Sequence, residues 1–216
     1  DLVKLEGTAI PAYVAWLQGV AASGKLAIDG TVMGLAQAKQ LQEALAPANW
    51  TLQADTDPLL GAWPDRTGLP QAPVFEHALP FASTPRADKL AALRQAMRDK
   101  GATHHWVATL DDLAWLLNLR GSDVEYNPVF LGHALIALDS ATLFINLDKV
   151  TPAVQTSLQK DGVNVVDYAQ AVPSLKAIPP TATLLIDPKR VTWGLREAVP
   201  AGVKVIESIN RTTLGK

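Results

Sequence analysis

Hydrophobic residues along the chain alternate between helical and strand spacing, with turn-forming residues between the segments. Apolar residues recur at helical spacing over Pro11–Ala22 and Leu35–Leu45. Short apolar runs at Leu26–Ile28 and Trp50–Ala54 indicate strands. An order of helix, strand, helix and strand is typical of α/β proteins.

This pattern stops between Thr56 and Thr84. The stretch contains prolines at positions 58, 64, 70, 73 and 80, with Gly61 and Gly68 between them. Proline and glycine at this density interrupt helices and strands, so we expect a connector rather than a packed element. We place a domain boundary towards its end, which divides the chain into residues 1–75 and 76–216.

The second part of the chain begins with a helix signal. Thr84 is placed to cap a helix whose first residue is Pro85, and Gly101 is placed to end it. We expect Leu90, Leu93 and Met97 to face the core, and Arg86, Lys89 and Arg94 to face water.

The same alternation continues to the end of the chain. A strand at His104–Ala108 leads through a capping box, formed by Thr109 and Asp112, into a helix at Leu110–Leu117. Val129–Leu138 and Thr142–Asn146 are predicted to be antiparallel strands joined by a turn at Asp139–Ser140. The remaining predicted helices are Pro152–Lys160, Ala169–Ala177 and Val191–Ala198, and the remaining strands are Asn164–Val166, Leu184–Ile186 and Val203–Ile206. Together these elements predict a layered α/β domain with a mixed, mostly parallel sheet flanked by helices.

Two segments of the chain are similar to each other. Leu26–Ala54 contains LAID, a spacer, a helix, PANW and a strand, and Leu184–Ser208 contains LLID, a spacer, a helix, PAGV and a strand. One interpretation is that two homologous domains lie in tandem, with residues 1–75 forming the C-terminal half of the first. Chance similarity between short segments is the alternative.

Composition excludes several classes of function. The chain is 48% hydrophobic and 19% charged with a net charge of -2, so it has the composition of a globular protein and no basic surface for nucleic acid or anionic membranes. Its apolar runs are too short to span a membrane. The absence of cysteine excludes disulfides and fits a cytoplasmic protein. Because the chain starts at Asp1 without methionine, we expect it to be part of a longer protein, and the lack of a signal peptide carries little weight.

The sequence contains no recognisable catalytic motif. HExxH, GxSxG and phosphate-binding glycine loops are all missing. His104 and His105 are adjacent in a predicted strand and point to opposite faces, so we expect one to be packed and the other solvated. We expect His133 to be a hydrogen-bonded structural residue and His77 to be exposed.

The segment most typical of a binding site is Asn118–Pro128, here called the polar loop. Gly121 is expected to supply a turn with positive φ, and the guanidinium of Arg120 suits a carboxylate or a pair of carbonyl oxygens. Two interpretations are open: Arg120 and Asp123 tie the loop to itself, or the loop contacts another domain, a subunit or a substrate. The candidate contact residues are Asn118, Arg120, Asp123 and Asn127.

The polar loop and its neighbours resemble a known family. Residues 111–123, DDLAWLLNLRGSD, are similar to the segment LDEIAWLLNLRGSD of the three-domain Xaa-Pro aminopeptidases (aminopeptidase P, peptidase M24 family), and Asn127–Phe130 matches its NPVF segment. Pro58 and Thr67 depart from the family pattern. The other similar segments are Asp57–Leu60 with Trp63, Asp65 and Arg66, then Pro73–Phe75, Lys89–Met97 and Leu143–Ile145.

This resemblance implies a metallopeptidase, a hydrolase that removes an N-terminal residue when the next residue is proline. Members have two creatinase-like N-terminal domains and a catalytic pita-bread domain, in which two aspartates, one histidine and two glutamates bind two divalent ions, typically manganese. None of these ligands can be assigned in this sequence. We therefore expect a non-catalytic N-terminal fragment that has no cofactor of its own and is inactive alone.

The implied partners are the fragment's own C-terminal catalytic domain, a second copy in a homodimer, and, for the parent enzyme, peptides with proline at position two. The resemblance places the polar loop at the catalytic cleft, where it would support active-site access. Separation from a catalytic domain is expected to expose apolar residues near Ile209–Leu214 or Phe130–Leu138. The alternatives are a stand-alone creatinase-N-type module for binding or oligomerisation, and a fragment of a related creatinase or prolidase.

Overall fold

The computed structural model of the protein describes residues 12–216. The chain forms two compact units. The first unit ends at Arg66 and also includes Thr192–Arg196, and the second consists of Thr67–Val191 and Glu197–Lys216. Each unit has its own hydrophobic core and is described separately.

The first unit is a small α/β structure. It contains helix α1 (Ala12–Val20), strand β1 (Gly24–Ala27), helix α2 (Leu35–Leu45) and strand β2 (Trp50–Gln53), and the two strands pair in parallel. All four predicted elements are present, although the predicted first residue of α1, Pro11, lies outside the described residues. Its core consists of Val14, Ile28, Ala38, Leu41 and Leu45.

Thr192–Arg196 completes the first unit by pairing with the turn after β1. Gly34 and Thr192 form an antiparallel bridge, and the amide of Gly194 donates to the carbonyl oxygen of Gly30 at 2.7 Å. A Cβ atom on Gly30 would lie 2.7 Å from the carbonyl oxygen of Ala54, so the close approach of Gly30 to Ala54 requires glycine.

The second unit contains a six-stranded mixed sheet. Its strands are β4 (His104–Val107), β6 (His133–Ala137), β7 (Ala141–Ile145), β8 (Val163–Asp167), β9 (Thr183–Ile186) and β10 (Lys204–Glu207), in the order β10-β9-β4-β6-β7-β8. Strand β6 is antiparallel to β4 and β7, and the other three pairings are parallel. This confirms the prediction of a mixed, mostly parallel sheet.

Six helices accompany this sheet. They are α3 (Arg86–Asp99), α4 (Leu110–Leu117), α5 (Pro152–Lys160), α6 (Ala171–Lys176), α7 (Trp193–Ala198), which begins within the first unit, and α8 (Arg211–Leu214). The core includes Leu90, Leu93 and Met97 of α3, as predicted, and Leu113, Ala114 and Leu117 of α4. The layered α/β class is therefore confirmed.

The same local structure follows β1 and β9. The carboxylate of Asp29 accepts a hydrogen bond from the amide of Thr31 at 2.8 Å, and that of Asp187 accepts one from the amide of Lys189 at 3.0 Å. Each turn leads into a helix and then into a parallel strand, β2 or β10. This agrees with the internal similarity in the sequence, and the tandem-domain interpretation stays a prediction.

Several predictions about individual elements differ from the structure. The connector is not entirely without pairing, because strand β3 (Phe75–Glu76) is antiparallel to strand β5 (Leu119–Arg120). The predicted strand Val129–Leu138 is shortened to β6, since residues 129–132 have no strand assignment. The capping box at α4 is not formed, because the Thr109 hydroxyl has no hydrogen-bond partner.

Exposure of apolar side chains differs between the two regions predicted from the sequence. Ile209 and Leu214 are each 58% exposed, as expected. Phe130 and Ile136 are fully buried, so the prediction of an exposed surface at Phe130–Leu138 is wrong. Within residues 12–216, every helix is too short or too polar to cross a lipid bilayer.

Candidate functional site

Asn118 ends helix α4 and connects three segments of the second unit. Its backbone is left-handed, with φ 49° and ψ 41°, a conformation that asparagine adopts more readily than most residues. Its side-chain oxygen accepts a hydrogen bond from Lys89 Nζ at 2.6 Å, and its side-chain nitrogen donates to the carbonyl oxygen of Thr84 at 2.9 Å. Its own carbonyl oxygen accepts from the amide of His77 at 2.8 Å. Asn118 therefore holds α3 and the connector against the end of α4.

The guanidinium of Arg120 binds backbone oxygens close to it in the chain. Its Nη1 donates to the carbonyl oxygens of Ala114 at 2.9 Å and Leu119 at 2.8 Å. Ala114 lies in the last turn of α4, where carbonyl groups lack partners within the helix. These contacts agree with the interpretation that Arg120 ties the loop locally, and a further contact with another domain stays a prediction.

Asp123 forms a buried ion pair beneath the polar loop. Its Oδ2 contacts Lys149 Nζ, and the exposed fractions of the two side chains are 0% and 1%. The same oxygen accepts a hydrogen bond from the amide of Leu131 at 2.6 Å, while Oδ1 has no partner. Asp123 therefore pairs with Lys149 rather than Arg120, and it fixes the base of the loop.

The tip of the polar loop, residues 124–127, faces outward. Val124 and Asn127 form an isolated bridge, in which the amide of Asn127 donates to the carbonyl oxygen of Val124 at 3.1 Å. Between them Tyr126 has a φ of 61° and is 97% exposed. Positive φ is uncommon for a bulky side chain. The loop thus presents Tyr126 to its surroundings on a turn whose base is buried.

Gly121 is required by close packing. A Cβ atom at this position would lie 2.8 Å from Cβ of Phe130 and 3.1 Å from the carbonyl oxygen of Val129. The glycines of the described chain with positive φ are Gly101 and Gly162. The predicted positive φ at Gly121 is therefore wrong, and the left-handed residues of the loop are Asn118 and Tyr126.

Arg86 is buried beside the polar loop, although it was predicted to face water. It is 5% exposed, and Lys89 is 7% exposed. Arg86 donates through Nε to the carbonyl oxygen of Leu117 at 2.6 Å, and through its Nη atoms to Asp161 at 2.7 Å and Glu76 at 2.8 Å. Because these acceptors come from distant segments, the helical spacing of α3 could not reveal them.

A cavity of about 350 Å³ lies over Arg86 and is lined by Glu76, Asn118 and Asp161, with apolar atoms from the connector. The Ser157 hydroxyl donates to Glu76, and this bond together with the Arg86 guanidinium holds the pKa of Glu76 below its ordinary value. The cavity therefore combines charged groups, a hydroxyl and apolar atoms.

A second polar cluster is buried in the second unit around His105. Its ring nitrogens lie 3.0 Å from the carbonyl oxygen of Leu185 and 2.9 Å from Oδ1 of Asn210. The side-chain nitrogen of Asn210 donates to Asp112 at 2.6 Å. Burial lowers the pKa of His105. We interpret this cluster as structural, because Asn210 links His105 to Asp112 and so fixes the start of α8.

His133 lies in an aromatic stack. Its ring centroid is 5.3 Å from that of Trp106 and 5.3 Å from that of Tyr168. Its Nδ1 has no hydrogen-bond partner, contrary to the expected hydrogen-bonded role at this atom, and burial lowers the pKa of His133 to about 4. His105 is fully buried, as expected for one of the two neighbours, whereas His104 is partly buried rather than solvated. His77 is half-buried rather than exposed.

Within residues 12–216, no group of three or more histidine, cysteine, aspartate or glutamate side chains is placed to hold a metal ion. The described site therefore consists of a loop with an anchored base and an exposed tip, and an adjoining polar cavity. Sequence reasoning selected the loop, but it missed Arg86 and Asp161, since their pairing depends on the fold.

Comparison with known proteins identifies the domain. Residues 65–216 match the model of the creatinase/prolidase N-terminal domain. The chain belongs to this family. The match covers the six-stranded sheet, the polar loop and the cavity.

Longer relatives of this creatinase/prolidase N-terminal domain extend the similarity to the rest of the chain. A probable Xaa-Pro aminopeptidase P from Sordaria macrospora is 30% identical over 95% of this chain and 35% of its own length. Aminopeptidase P2 from Arabidopsis thaliana is 32% identical over 87% of this chain and 27% of its own length. The predicted resemblance to Xaa-Pro aminopeptidases is confirmed, and the chain spans about a third of the length of these relatives.

A solved structure has the same fold. The X-prolyl aminopeptidase from Caenorhabditis elegans, described as a cytosolic enzyme with a di-nuclear active site, superposes with a TM-score of 0.80 at 20% sequence identity. The superposition covers 94% of this chain and 36% of the nematode enzyme. Both units of the chain thus correspond to part of a larger protein of known fold.

Proposed function

We propose that this chain is the non-catalytic N-terminal region of a metal-dependent Xaa-Pro aminopeptidase, which removes an N-terminal residue that precedes proline. The observation that carries the proposal is the coverage of the Sordaria relative, whose similarity includes 95% of this chain but only 35% of that protein. The match of residues 65–216 to an N-terminal domain family supports the proposal that a catalytic domain follows this region in the parent enzyme.

The catalytic metals of the parent enzyme belong outside this region. The nematode relative is described as having a di-nuclear site, whereas residues 12–216 bring no three potential ligands together. The described residues therefore do not fit such a centre. We propose two divalent ions, with manganese as the expected metal, bound by a following pita-bread domain, where they would supply a metal-activated water.

The role of this region is to support active-site access and oligomerisation. The polar loop supports this role because Asn118, Arg120 and Asp123 anchor it through hydrogen bonds and an ion pair, which leaves Asn127 and the neighbouring tip to make a contact. Tyr126, at 97% exposure, is the residue we place at the edge of the catalytic cleft. The parent is proposed to be a cytoplasmic homodimer, in line with the cytosolic nematode relative.

The coding sequence provides a direct test of this proposal. The reading frame that encodes the chain is expected to continue into a domain with two aspartates, one histidine and two glutamates as metal ligands. A frame that stops without them would favour a stand-alone creatinase-N-type module for binding or oligomerisation. A frame that continues into a different ligand set would favour a related creatinase or prolidase.

A further inference from the structure

A groove of about 190 Å³ lies on the second unit between helices α3, α4 and α8. Its apolar walls are formed by Ala92, Leu93 and Ala96 of α3, Trp115 of α4 and Leu214 of α8. This volume is smaller than the roughly 300 Å³ at which pockets for drug-sized ligands begin. The groove therefore has room for one apolar side chain and one small polar group.

Arg211 lines this groove, and one nitrogen of its guanidinium lacks a hydrogen-bond acceptor. Its Nε is buried and has no partner, and no described residue forms an ion pair with its guanidinium within residues 12–216. A buried donor of a charged group is normally satisfied, because water is excluded from it. An anion bound in the groove would compensate the charge of this guanidinium.

The other polar groups that line the groove are already bonded. Lys89 Nζ donates to the carbonyl oxygen of Trp115 at 2.8 Å and to Asn118 at 2.6 Å, and it lies 4.4 Å from the centroid of the Trp115 ring. The hydroxyl of Thr212 donates to Asn210 at 2.6 Å. Arg211 is thus the group that remains to bind a ligand.

The positive charge of the residues that line the groove favours a negatively charged ligand. Its two ionisable lining residues, Lys89 and Arg211, are both basic, and no acidic residue lines it. A guanidinium binds a carboxylate through parallel hydrogen bonds, which a terminal carboxylate can accept with two oxygens. The backbone of Arg211 is also held in place, since Asn210 is anchored to His105 and Asp112.

We propose that this groove binds the C-terminal end of a peptide whose last residue is apolar. The terminal carboxylate pairs with the Arg211 guanidinium, and the last side chain packs against Trp115 and Leu93. This site lies within the second unit and does not depend on the assignment of the parent enzyme.

N-acetyl-leucine is a suitable probe, because it carries the apolar side chain and the carboxylate without the rest of a peptide. Titration of the purified chain, followed by NMR, is expected to show saturable binding. N-acetyl-leucinamide, which lacks the charge, is expected to bind at least tenfold more weakly. Equal binding of the acid and the amide, or no saturable binding of the acid, would overturn the proposal.

Two variants test the assignment to this groove. Arg211→Gln is expected to weaken binding of N-acetyl-leucine at least tenfold, whereas Arg98→Gln, at an exposed position of α3, is expected to leave it unchanged. Ala96→Leu fills the groove without altering Arg211, and should also weaken binding at least tenfold if circular dichroism shows a folded protein. Wild-type affinity in both Arg211→Gln and folded Ala96→Leu would place the probe elsewhere and contradict the proposal.

A third probe separates charge from shape. The side-chain carboxylate of N-acetyl-aspartamide offers the same charge without the apolar group. It is expected to bind at least tenfold more weakly than N-acetyl-leucine. Binding as tight as that of N-acetyl-leucine would show that the apolar walls do not contribute, and would overturn the proposed recognition of an apolar last residue.

Discussion

The ammonium group of Lys149 contacts the carboxylate of Asp123 inside the second unit, where the exposed fractions of the two side chains are 1% and 0%. Both residues are remote from the aqueous surface, yet Asp123 belongs to the polar loop whose tip is exposed. The ion pair therefore attaches the base of the polar loop to the buried interior of the second unit. This ion pair helps to explain how a loop of polar residues is held against an apolar core.

Asp123→Asn should lower the free energy of unfolding by about 3–5 kcal/mol, because it leaves a buried ammonium group without its counter-charge. Urea denaturation of the purified chain measures this. Asp57→Asn is the matched control, since its partner Arg66 is 37% exposed and exposed ion pairs contribute little to stability. Similar losses in the two variants would show that the buried pair has no special role.

Replacement of both Asp123 and Lys149 tests whether the two side chains interact directly. Asp123→Leu combined with Lys149→Met removes both charges, so it should be less destabilising than the sum of the two single substitutions. The cost of leaving the amide of Leu131 without its acceptor will persist in the double variant. Strict additivity of the three unfolding free energies would contradict a direct interaction.

Gly121→Ala should destabilise the protein by about 1–3 kcal/mol, because the added Cβ would lie 2.8 Å from Cβ of Phe130. Gly68→Ala is the control, since its Cβ would meet no atom within 4 Å. Thermal or urea unfolding of both variants separates them. A neutral Gly121→Ala would mean that the loop can move away from Phe130 at little cost.

Tyr126→Gly should leave the fold intact and raise the free energy of unfolding by up to about 1 kcal/mol, because glycine adopts positive φ without the penalty of a side chain. On the proposed function, the same substitution in the full-length protein should lower kcat/KM for Xaa-Pro peptides. Val32→Gly, at another exposed apolar position in the first unit, should leave kcat/KM unchanged. Unaltered kcat/KM in Tyr126→Gly would remove the tip from the proposed cleft.

Stability should fall as the pH is lowered from about 6.5 towards 4. The pKa of His133 is lowered from 6.5 to about 4 by burial, so in this range the unfolded chain binds more protons than the folded one. The contribution of His133 to the free energy of unfolding is complete above its pKa in the unfolded chain. It declines by about 3 kcal/mol once the pH has fallen below its pKa in the folded protein. The pKa of His105 is lowered in the same direction and adds to the effect.

His133→Phe keeps an aromatic ring between Trp106 and Tyr168 but cannot titrate. Urea denaturation at intervals between pH 7 and 4 should therefore show a smaller loss of stability in this variant than in the wild type. Identical pH dependence of the two proteins would show that His133 is not the residue responsible.

Local sequence patterns were sufficient to predict elements whose structure depends on residues close together along the chain. The bounds of α2, α4 and α5 agree with the helices predicted from apolar spacing, because each helix buries one continuous face. The strands β6 and β7 pair around Asp139–Ser140 as predicted, since their turn is short and local.

Local patterns failed where a partner lies far along the chain. Asp112 was assigned to a capping box with Thr109, yet it bonds to Asn210, 98 residues away. Arg86 was assigned to the solvent side, yet Asp161 accepts its hydrogen bond from 75 residues away. The spacing of apolar residues along a helix does not indicate either of these hydrogen bonds, so the three-dimensional structure is needed to identify them.

The polar loop illustrates both cases. Its composition correctly marked a segment with unusual geometry, because asparagine, glycine and proline accumulate where the backbone turns. The roles within it were harder to assign: Gly121 serves close packing, and Tyr126 has the positive φ. Both roles follow from the position of Phe130 and of the bridge between Val124 and Asn127, which sequence alone did not specify.

Hydrolysis of an Xaa-Pro-Xaa tripeptide tests the central claim most directly. The purified 216-residue chain and the full-length protein from the same reading frame are incubated with the peptide and manganese, and the released N-terminal residue is measured. We predict release by the full-length protein and none by the chain alone. Release by the chain alone would contradict its non-catalytic role, and release by neither would contradict the assignment to an Xaa-Pro aminopeptidase.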